Sequence, residues 1–206
     1  MNERIKYPIV ITLICLVAAA GLAVTFALTK DEIKRSKAKE FDEGLRFVLP
    51  KGKTELLDKA KGVYIARDGY KIAGYAATGE AQGYSSKIKV IVGVTPEMQI
   101  IAMRILSQEE TPGLGEQTKD VPPTKTIWRA VAEFFTGEKE KGPKPTPPFQ
   151  EQFRGKTWDQ LALTKERNSK DAISQLTGAT ITSQAVVNAV RNAIATIESV
   201  AKKEEE

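Results

Sequence analysis

A long run of residues near the N-terminus contains no charged side chain, and it constrains the fold more than any other feature. Residues 7–29 read YPIVITLICLVAAAGLAVTFALT. At about 1.5 Å of rise per residue, a helix of this length crosses a hydrocarbon core of roughly 30 Å. A cleaved signal peptide is the alternative, but its apolar core usually has only about 7–15 residues. The sequence therefore predicts a retained membrane anchor over residues 1–30, followed by one domain over residues 31–206.

Basic residues flank this run on both sides, so charge alone does not settle its orientation. Two precede it (Arg4 and Lys6), and five follow it: Lys30, Lys34, Arg35, Lys37 and Lys39. Taken literally, the positive-inside rule favours a cytoplasmic C-terminal domain, although a large translocated domain can override such counts.

The composition excludes several kinds of chemistry. With 31 Lys and Arg against 26 Asp and Glu, the net charge is +5, which is too small and too dispersed to indicate nucleic-acid binding. One Cys excludes a disulfide framework or thiolate metal cluster built within the chain. The absence of His removes the commonest general base and the imidazole ligand. Chemistry here is therefore expected to depend on a cofactor or on carboxylates.

The remainder has the pattern of an α+β domain, with an antiparallel sheet flanked by helices. Residues 67–69 (Arg-Asp-Gly) between two apolar runs predict a hairpin over residues 62–78. Runs of β-branched and apolar residues predict strands over residues 88–94 and 98–106. Helices are predicted over residues 31–48, 126–136 and 183–201, with a Pro-rich loop over residues 141–150.

The segment TGATITS, residues 177–183, lies just before the last predicted helix. Thr182 or Ser183 can cap that helix. The free N–H groups of the first turn and the positive end of the helix dipole together favour a phosphate group. A Thr hydroxyl at this place could be esterified by such a phosphate. The alternative is an ordinary helix cap.

The segment EETPGLGE, residues 109–116, follows a predicted strand. Pro112 and Gly113 suit the two central positions of a type II turn. The two glycines let the backbone approach a flat ligand closely. Thr111 and backbone N–H groups can bind the edge of a ring, while Leu114 can cover its face. The alternative is an ordinary turn.

ETPGLG (residues 110–115) followed by TGATITS (residues 177–183) resembles the covalent-FMN-binding domain of Rnf-type and Nqr-type electron-transport complexes. With one N-terminal span in a chain of 206 residues, the sequence most resembles the G subunits of Rnf complexes. The C subunits of Na⁺-pumping NADH:quinone reductases share both motifs but are usually longer chains.

The resemblance implies that FMN is joined through its phosphate to Thr180, the last Thr of the TGAT motif. It also implies a flavin transferase that installs the FMN with FAD as donor. The phosphate is then expected beside Thr177, Gly178 and Ala179. The isoalloxazine ring is expected near the other motif and near Lys165, for which a solvated surface position is the alternative; the residues of that motif are Glu110, Thr111, Gly113, Leu114 and Gly115.

By the same resemblance, the domain is extracytoplasmic and the chain carries electrons between other subunits of an inner-membrane complex. Such a complex moves electrons between reduced ferredoxin and NAD and couples this transfer to Na⁺ or H⁺ translocation, whereas this chain alone should catalyse no net reaction. The sequence departs from the family at two places. Ser174 stands where an Asp is usual, with Asp171 further back, which bears on the efficiency of flavin attachment. Members of the family often have a His two or three residues before the Glu-Thr-Pro segment, and Ser107 and Gln108 occupy that region here.

Three other functions remain open on the sequence alone. The chain could be the C subunit of a Na⁺-pumping NADH:quinone reductase. It could be a stand-alone membrane-anchored flavoprotein reductase, although that activity needs an acid or base near the flavin and the chain has no His. It could also be a tethered module without redox chemistry, in which both motifs are only turns and caps.

Overall fold

A computed structural model describes residues 3–49, 51–119, 146–166, 169 and 171–204. The chain divides into two compact units, Met1–Asp42 and Glu43–Glu206. The sequence predicts a different boundary, between a membrane anchor over residues 1–30 and a domain over residues 31–206. That boundary marks where the chain is expected to leave the membrane, and it stays a prediction. The predicted helix over residues 126–136 lies outside the described residues.

Helix α1 (Glu3–Val48) is continuous, so the helix predicted over residues 31–48 does not begin as a separate element. No Pro or Gly interrupts the chain between residues 22 and 43, which explains the continuity. The first part of α1 is apolar and wholly exposed, and by length and composition it is able to cross a membrane. Exposed Ile, Leu, Val and Phe side chains are normal where lipid replaces water as the solvent.

Five antiparallel strands form the sheet of the second unit, in the order β1-β2-β3-β4-β5. This arrangement confirms the predicted hairpin and the two strands after it, and it adds β1, whose sequence KTELLD lacks apolar alternation. The strands are β1 (Lys53–Asp58), β2 (Val63–Asp68), β3 (Lys71–Gln82), β4 (Lys87–Val94) and β5 (Ile100–Ser107).

The hairpin turn and the start of β5 are displaced from their predicted places. Asp68 pairs with Lys71, so Arg67 and Asp68 belong to β2 and the hairpin turn is at Gly69 and Tyr70. Gly69 has a φ of +63°, a conformation that glycine adopts without strain. Met98 also has a positive φ, of 60°, and lies in the turn before β5 rather than in the strand.

The last helix of the chain packs on one face of the sheet and supplies a large part of the core. Its apolar side chains, among them Val186, Val190 and Ile197, are fully buried against β3 and β4, as their helical spacing predicts. Gly79 in β3 allows this contact, because a Cβ atom there would overlap the carbonyl oxygen of Ala189. This long helix begins at Thr180, three residues before the predicted start.

Between sheet and last helix the described chain forms only short elements. A 3₁₀ turn covers Gly115–Thr118. The end of the predicted Pro-rich loop is instead helix α2 (Pro148–Glu151), which begins with a Pro at its first position, where the missing N–H is not needed. Strands β6 (Leu163–Thr164) and β7 (Ile173–Ser174) pair in parallel, and the chain then enters helix α3 (Thr180–Glu204).

Candidate functional site

A cleft of about 580 Å³ lies where the segment after β5 meets the first turn of α3. Small-molecule and cofactor sites typically enclose about 300–1,000 Å³, so the cleft is large enough for such a ligand. It joins the two segments that the sequence analysis identified. The lining residues are Tyr84, Glu110, Thr111, Leu114, Gly115, Gly178, Ala179, Thr180, Ile181 and Thr182.

The first turn of α3 has no side-chain cap. The first helical hydrogen bond runs from the Ser183 N–H to the Ala179 carbonyl (2.9 Å), so Ala179 is the N-cap residue and offers no side-chain acceptor. Within the described part of the chain, no group accepts a hydrogen bond from the N–H groups of Thr180, Ile181 or Thr182. An uncapped helix start that opens on a cleft is suited to a phosphate group.

Neither Thr182 nor Ser183 caps α3, so that prediction is wrong. Both lie inside the helix, where their hydroxyl groups have other partners. The Thr182 hydroxyl donates to the Glu110 carboxylate (2.6 Å), and the Ser183 hydroxyl accepts the N–H of Leu176 (3.2 Å). The Thr180 hydroxyl, by contrast, is exposed and makes no hydrogen bond to the described residues.

The segment after β5 forms the predicted turn around Pro112 and Gly113. The Leu114 N–H donates to the Thr111 carbonyl (3.2 Å), and Gly113 has the positive φ (76°) that a type II turn requires at that position. The turn directs Leu114 toward the other motif. A Cβ atom on Gly178 would lie only 3.1 Å from the Leu114 side chain, so Gly178 leaves room for Leu114.

Glu110 is buried, with 7% of its surface exposed, and its carboxylate accepts five hydrogen bonds. Four come from the β3–β4 loop (residues 83–86): the N–H groups of Tyr84 (3.2 Å), Ser85 (3.1 Å) and Ser86 (3.1 Å), and the Ser86 hydroxyl (3.4 Å). The fifth comes from Thr182. Burial raises the pKa of Glu110, but the hydrogen bonds from Thr182 and the three N–H groups outweigh it and hold the pKa below its ordinary value.

Seven of the predicted site residues line the cleft: Glu110, Thr111, Leu114, Gly115, Gly178, Ala179 and Thr180. Three others do not. Gly113 shapes the turn, Thr177 is an exposed neighbour of Gly178, and Lys165 is exposed just after β6. The predicted contact between Lys165 and a ligand therefore stays a prediction.

Sequence reasoning missed Tyr84 and Ile181, which line the cleft with 70% and 57% of their surfaces exposed. Exposed large apolar side chains are a signal for binding only once the fold brings them together. Ser174, six residues before Thr180, does not line the cleft. Its hydroxyl is buried without a hydrogen-bond partner among the described residues.

A family described as the FMN-binding domain matches residues 83–195. This range includes every residue that lines the cleft. The chain belongs to the FMN-binding domain family. The residues present fit that cofactor, because the open N–H groups at the start of α3 suit its phosphate, and Tyr84, Leu114 and Ile181 offer apolar surface to a flat ring.

Two relatives align with most of the chain. It is 32% identical to the G subunit of the ion-translocating oxidoreductase complex of Aliivibrio fischeri (strain MJ11), over 92% of this chain and 88% of that protein. It is 27% identical to the G subunit of the proton-translocating ferredoxin:NAD(+) oxidoreductase complex of Clostridium ljungdahlii, over 89% of this chain and 86% of that protein. The structure also superposes on the crystal structure of Shewanella oneidensis NqrC, with a TM-score of 0.48 and 16% sequence identity. The superposition covers 74% of this chain and 67% of the NqrC chain.

Proposed function

We propose that this chain is the FMN-carrying G subunit of an Rnf-type, ion-translocating ferredoxin:NAD oxidoreductase complex. One observation supports this function most strongly: Thr180 and the ETPGLG segment line a single cleft inside the region that matches the FMN-binding domain. The two relatives from A. fischeri and C. ljungdahlii, both G subunits by name, align with nearly the whole chain. The other subunits of such a complex are the partners with which this chain exchanges electrons.

The FMN phosphate is esterified to the Thr180 hydroxyl in this proposal. A flavin transferase makes this bond with FAD as donor, breaking the pyrophosphate bond of FAD and releasing AMP and the hydroxyl proton. Three features support Thr180 as the attachment point. Its hydroxyl is exposed and without a partner among the described residues, and it stands at the uncapped start of α3. No Lys or Arg is among the described residues that line the cleft, so no cation there would retain a phosphate. A covalent bond would prevent loss of the cofactor.

The residues around the cleft would hold the rest of the cofactor. Leu114 and Ile181 offer apolar surface to the ring, and the Thr111 hydroxyl is available to its polar edge. FMN, when bound, supplies reversible electron transfer, while the protein sets its orientation and electrostatic surroundings. Lys165, which is exposed outside the cleft, is proposed as a more distant contact.

The soluble unit lies on the extracytoplasmic side of the membrane in this proposal, as the resemblance to the family implies. Tyr70, which is fully exposed in the β2–β3 turn, offers a labelling position. A Tyr70→Cys variant in a Cys15→Ser background should react with a membrane-impermeant maleimide in intact cells or spheroplasts. Labelling only after the cells are lysed would place the unit in the cytoplasm.

Fluorescence in a denaturing gel tests the covalent attachment. The full chain is expressed together with a flavin transferase, denatured, and viewed under ultraviolet light. We expect a fluorescent band for the wild type and for Thr180→Ser, and none for Thr180→Ala. The matched control is Thr196→Ala, because Thr196 lies on the same helix, its hydroxyl donates to the Asn192 carbonyl, and it does not line the cleft. A Thr180→Ala band as bright as the wild type would refute the attachment.

A further inference from the structure

The Glu110 carboxylate bridges two segments that are distant in the sequence. Its Oε1 atom accepts from the N–H groups of Ser85 and Ser86 and from the Ser86 hydroxyl. Its Oε2 atom accepts from the Tyr84 N–H and from the Thr182 hydroxyl. One side chain therefore joins the β3–β4 loop to the first turn of α3.

Two glycines make room for this bridge. A Cβ atom on Gly83 would lie 2.5 Å from the Glu110 Oε1 atom, and one on Gly115 would lie 2.6 Å from the Thr182 hydroxyl oxygen. Atoms at such distances would force the carboxylate or the hydroxyl away from its partners. The backbone at Gly83 and at Gly115 thus approaches Glu110 and Thr182 closely, which leaves the carboxylate little freedom to move.

A deprotonated carboxylate suits this arrangement, because both of its oxygens accept hydrogen bonds and neither carries a hydrogen. Its roughly four lone-pair positions serve the four bonds of 2.6–3.2 Å, and the longer bond from the Ser86 hydroxyl (3.4 Å) shares one of them. A Gln side chain of the same shape has one accepting oxygen, and its NH₂ group would face donors such as the Tyr84 N–H. The ring of donors therefore distinguishes Glu from its closest neutral analogue.

We propose that Glu110 is a positioning residue of the flavin site, which holds the first turn of α3, with Thr180, against the loop that carries Tyr84. Thr182, the partner of Glu110 on α3, lies two residues from the proposed attachment point and in the same helical turn. Tyr84 presents its ring to the same cleft. Glu110 itself lines the cleft, but in this role it acts on the cofactor through Thr182 and the loop that carries Tyr84. This role rests on the proposed function.

Hydrogen exchange of the full chain in detergent micelles, prepared without flavin, tests the bridge itself. Glu110→Gln should speed exchange of the amides of residues 84–86, and Thr182→Val should speed exchange of the same amides although it changes only α3. Thr182→Ser keeps the hydroxyl and should match the wild type. Glu109→Gln makes the same charge change one residue away and should also match it. Wild-type exchange over residues 84–86 in Thr182→Val would overturn the proposal.

The rate of flavin incorporation by a transferase, with FAD supplied, tests the consequence for the site. Glu110→Gln and Thr182→Val should each slow incorporation by roughly 10- to 100-fold, the loss expected when a reacting group is misplaced by about 1 Å. The double variant should be no slower than the slower single variant, because both changes remove one shared bond. Thr182→Ser should retain nearly the wild-type rate.

Two results separate this proposal from the proposed function. Effects that multiply in the double variant, or single variants that incorporate flavin at the wild-type rate, would overturn the positioning role while Thr180 remains the attachment point. A wild-type chain that takes up no covalent flavin would refute the attachment, and the exchange experiment would still decide whether the bridge exists. If Glu110→Gln does not fold, Thr182→Val and Thr182→Ser still decide between the outcomes.

Discussion

Thr180 and Glu110 line the same cleft, but their surroundings are opposite. The Thr180 hydroxyl is exposed and has no partner among the described residues. The Glu110 carboxylate is buried and accepts five hydrogen bonds. A group that is to react must be accessible and uncommitted, whereas a group that fixes geometry must be fully engaged. The contrast is consistent with the proposed roles, in which Thr180 reacts and Glu110 holds the surrounding structure.

Gly115→Ala should have the largest effect on stability, because it disturbs the hydrogen-bonded surroundings of Glu110. The new Cβ atom would lie 2.6 Å from the Thr182 hydroxyl oxygen and 2.8 Å from the Glu110 Cβ atom. Overpacking of this kind typically costs about 1–3 kcal/mol. Thermal unfolding of the full chain in detergent should show a lower midpoint. Gly21→Ala is the control, because Gly21 has no positive φ and a Cβ atom there would meet nothing within 4 Å. A midpoint for Gly115→Ala as high as that of Gly21→Ala would contradict the packing at Gly115.

The pH dependence of stability should also report on Glu110. Its folded-state pKa is held below the ordinary value of 4.5, so the unfolded chain binds more protons near that pH and stability rises with pH. The contribution is fully present above about pH 4.5 and is lost as the pH falls through the folded-state pKa. Glu110→Gln should therefore differ most from the wild type above pH 4.5 and approach it in acid.

The acid sensitivity of the wild type alone would not isolate Glu110, because Glu97 also has a lowered pKa. The wild type must therefore be compared with Glu110→Gln. A hydrogen bond from Thr95 lowers the pKa of Glu97 as well, so the wild type loses stability in acid for more than one reason. Since Glu97 is present in both chains, its contribution cancels in the difference. A difference between wild type and Glu110→Gln that does not change with pH would contradict the account of Glu110.

Thr180→Ala should have the smallest effect on stability. Its hydroxyl is exposed and bonds none of the described residues, and surface changes of this kind usually alter stability by less than about 0.5 kcal/mol. Unfolding of the flavin-free wild type and variant should give nearly the same midpoint. A marked loss of stability would show that Thr180 supports the fold and would weaken the contrast with Glu110.

The elements that depend on local pattern could be predicted from the sequence. The β2–β3 hairpin, strands β4 and β5, and the apolar face of α3 follow from alternation, turn residues and helical spacing. Strand β1 escaped prediction because KTELLD lacks apolar alternation and none of its residues is buried. The start of α3 was placed too late, because Thr182 and Ser183 are good caps in isolation but have partners elsewhere in the fold.

The site was predictable in its parts but not in its assembly. Gly113 signalled a type II turn and has the positive φ that such a turn requires. Gly178 also has a positive φ, which the sequence analysis did not predict. The bond between Glu110 and Thr182 joins residues 72 positions apart, and local pattern carries no information about such a contact. For the same reason, nothing in the sequence connects Tyr84 with either motif, and only the fold places it at the cleft.

Mass spectrometry of the peptide that contains the TGAT motif tests the central claim most directly. Trypsin should release DAISQLTGATITSQAVVNAVR, residues 171–191, from a full chain that has been expressed with a flavin transferase. The account predicts that this peptide carries one FMN phosphoryl group, and that fragmentation places it on Thr180 rather than on Thr177 or Thr182. An unmodified peptide, or a flavin on another residue, would contradict it.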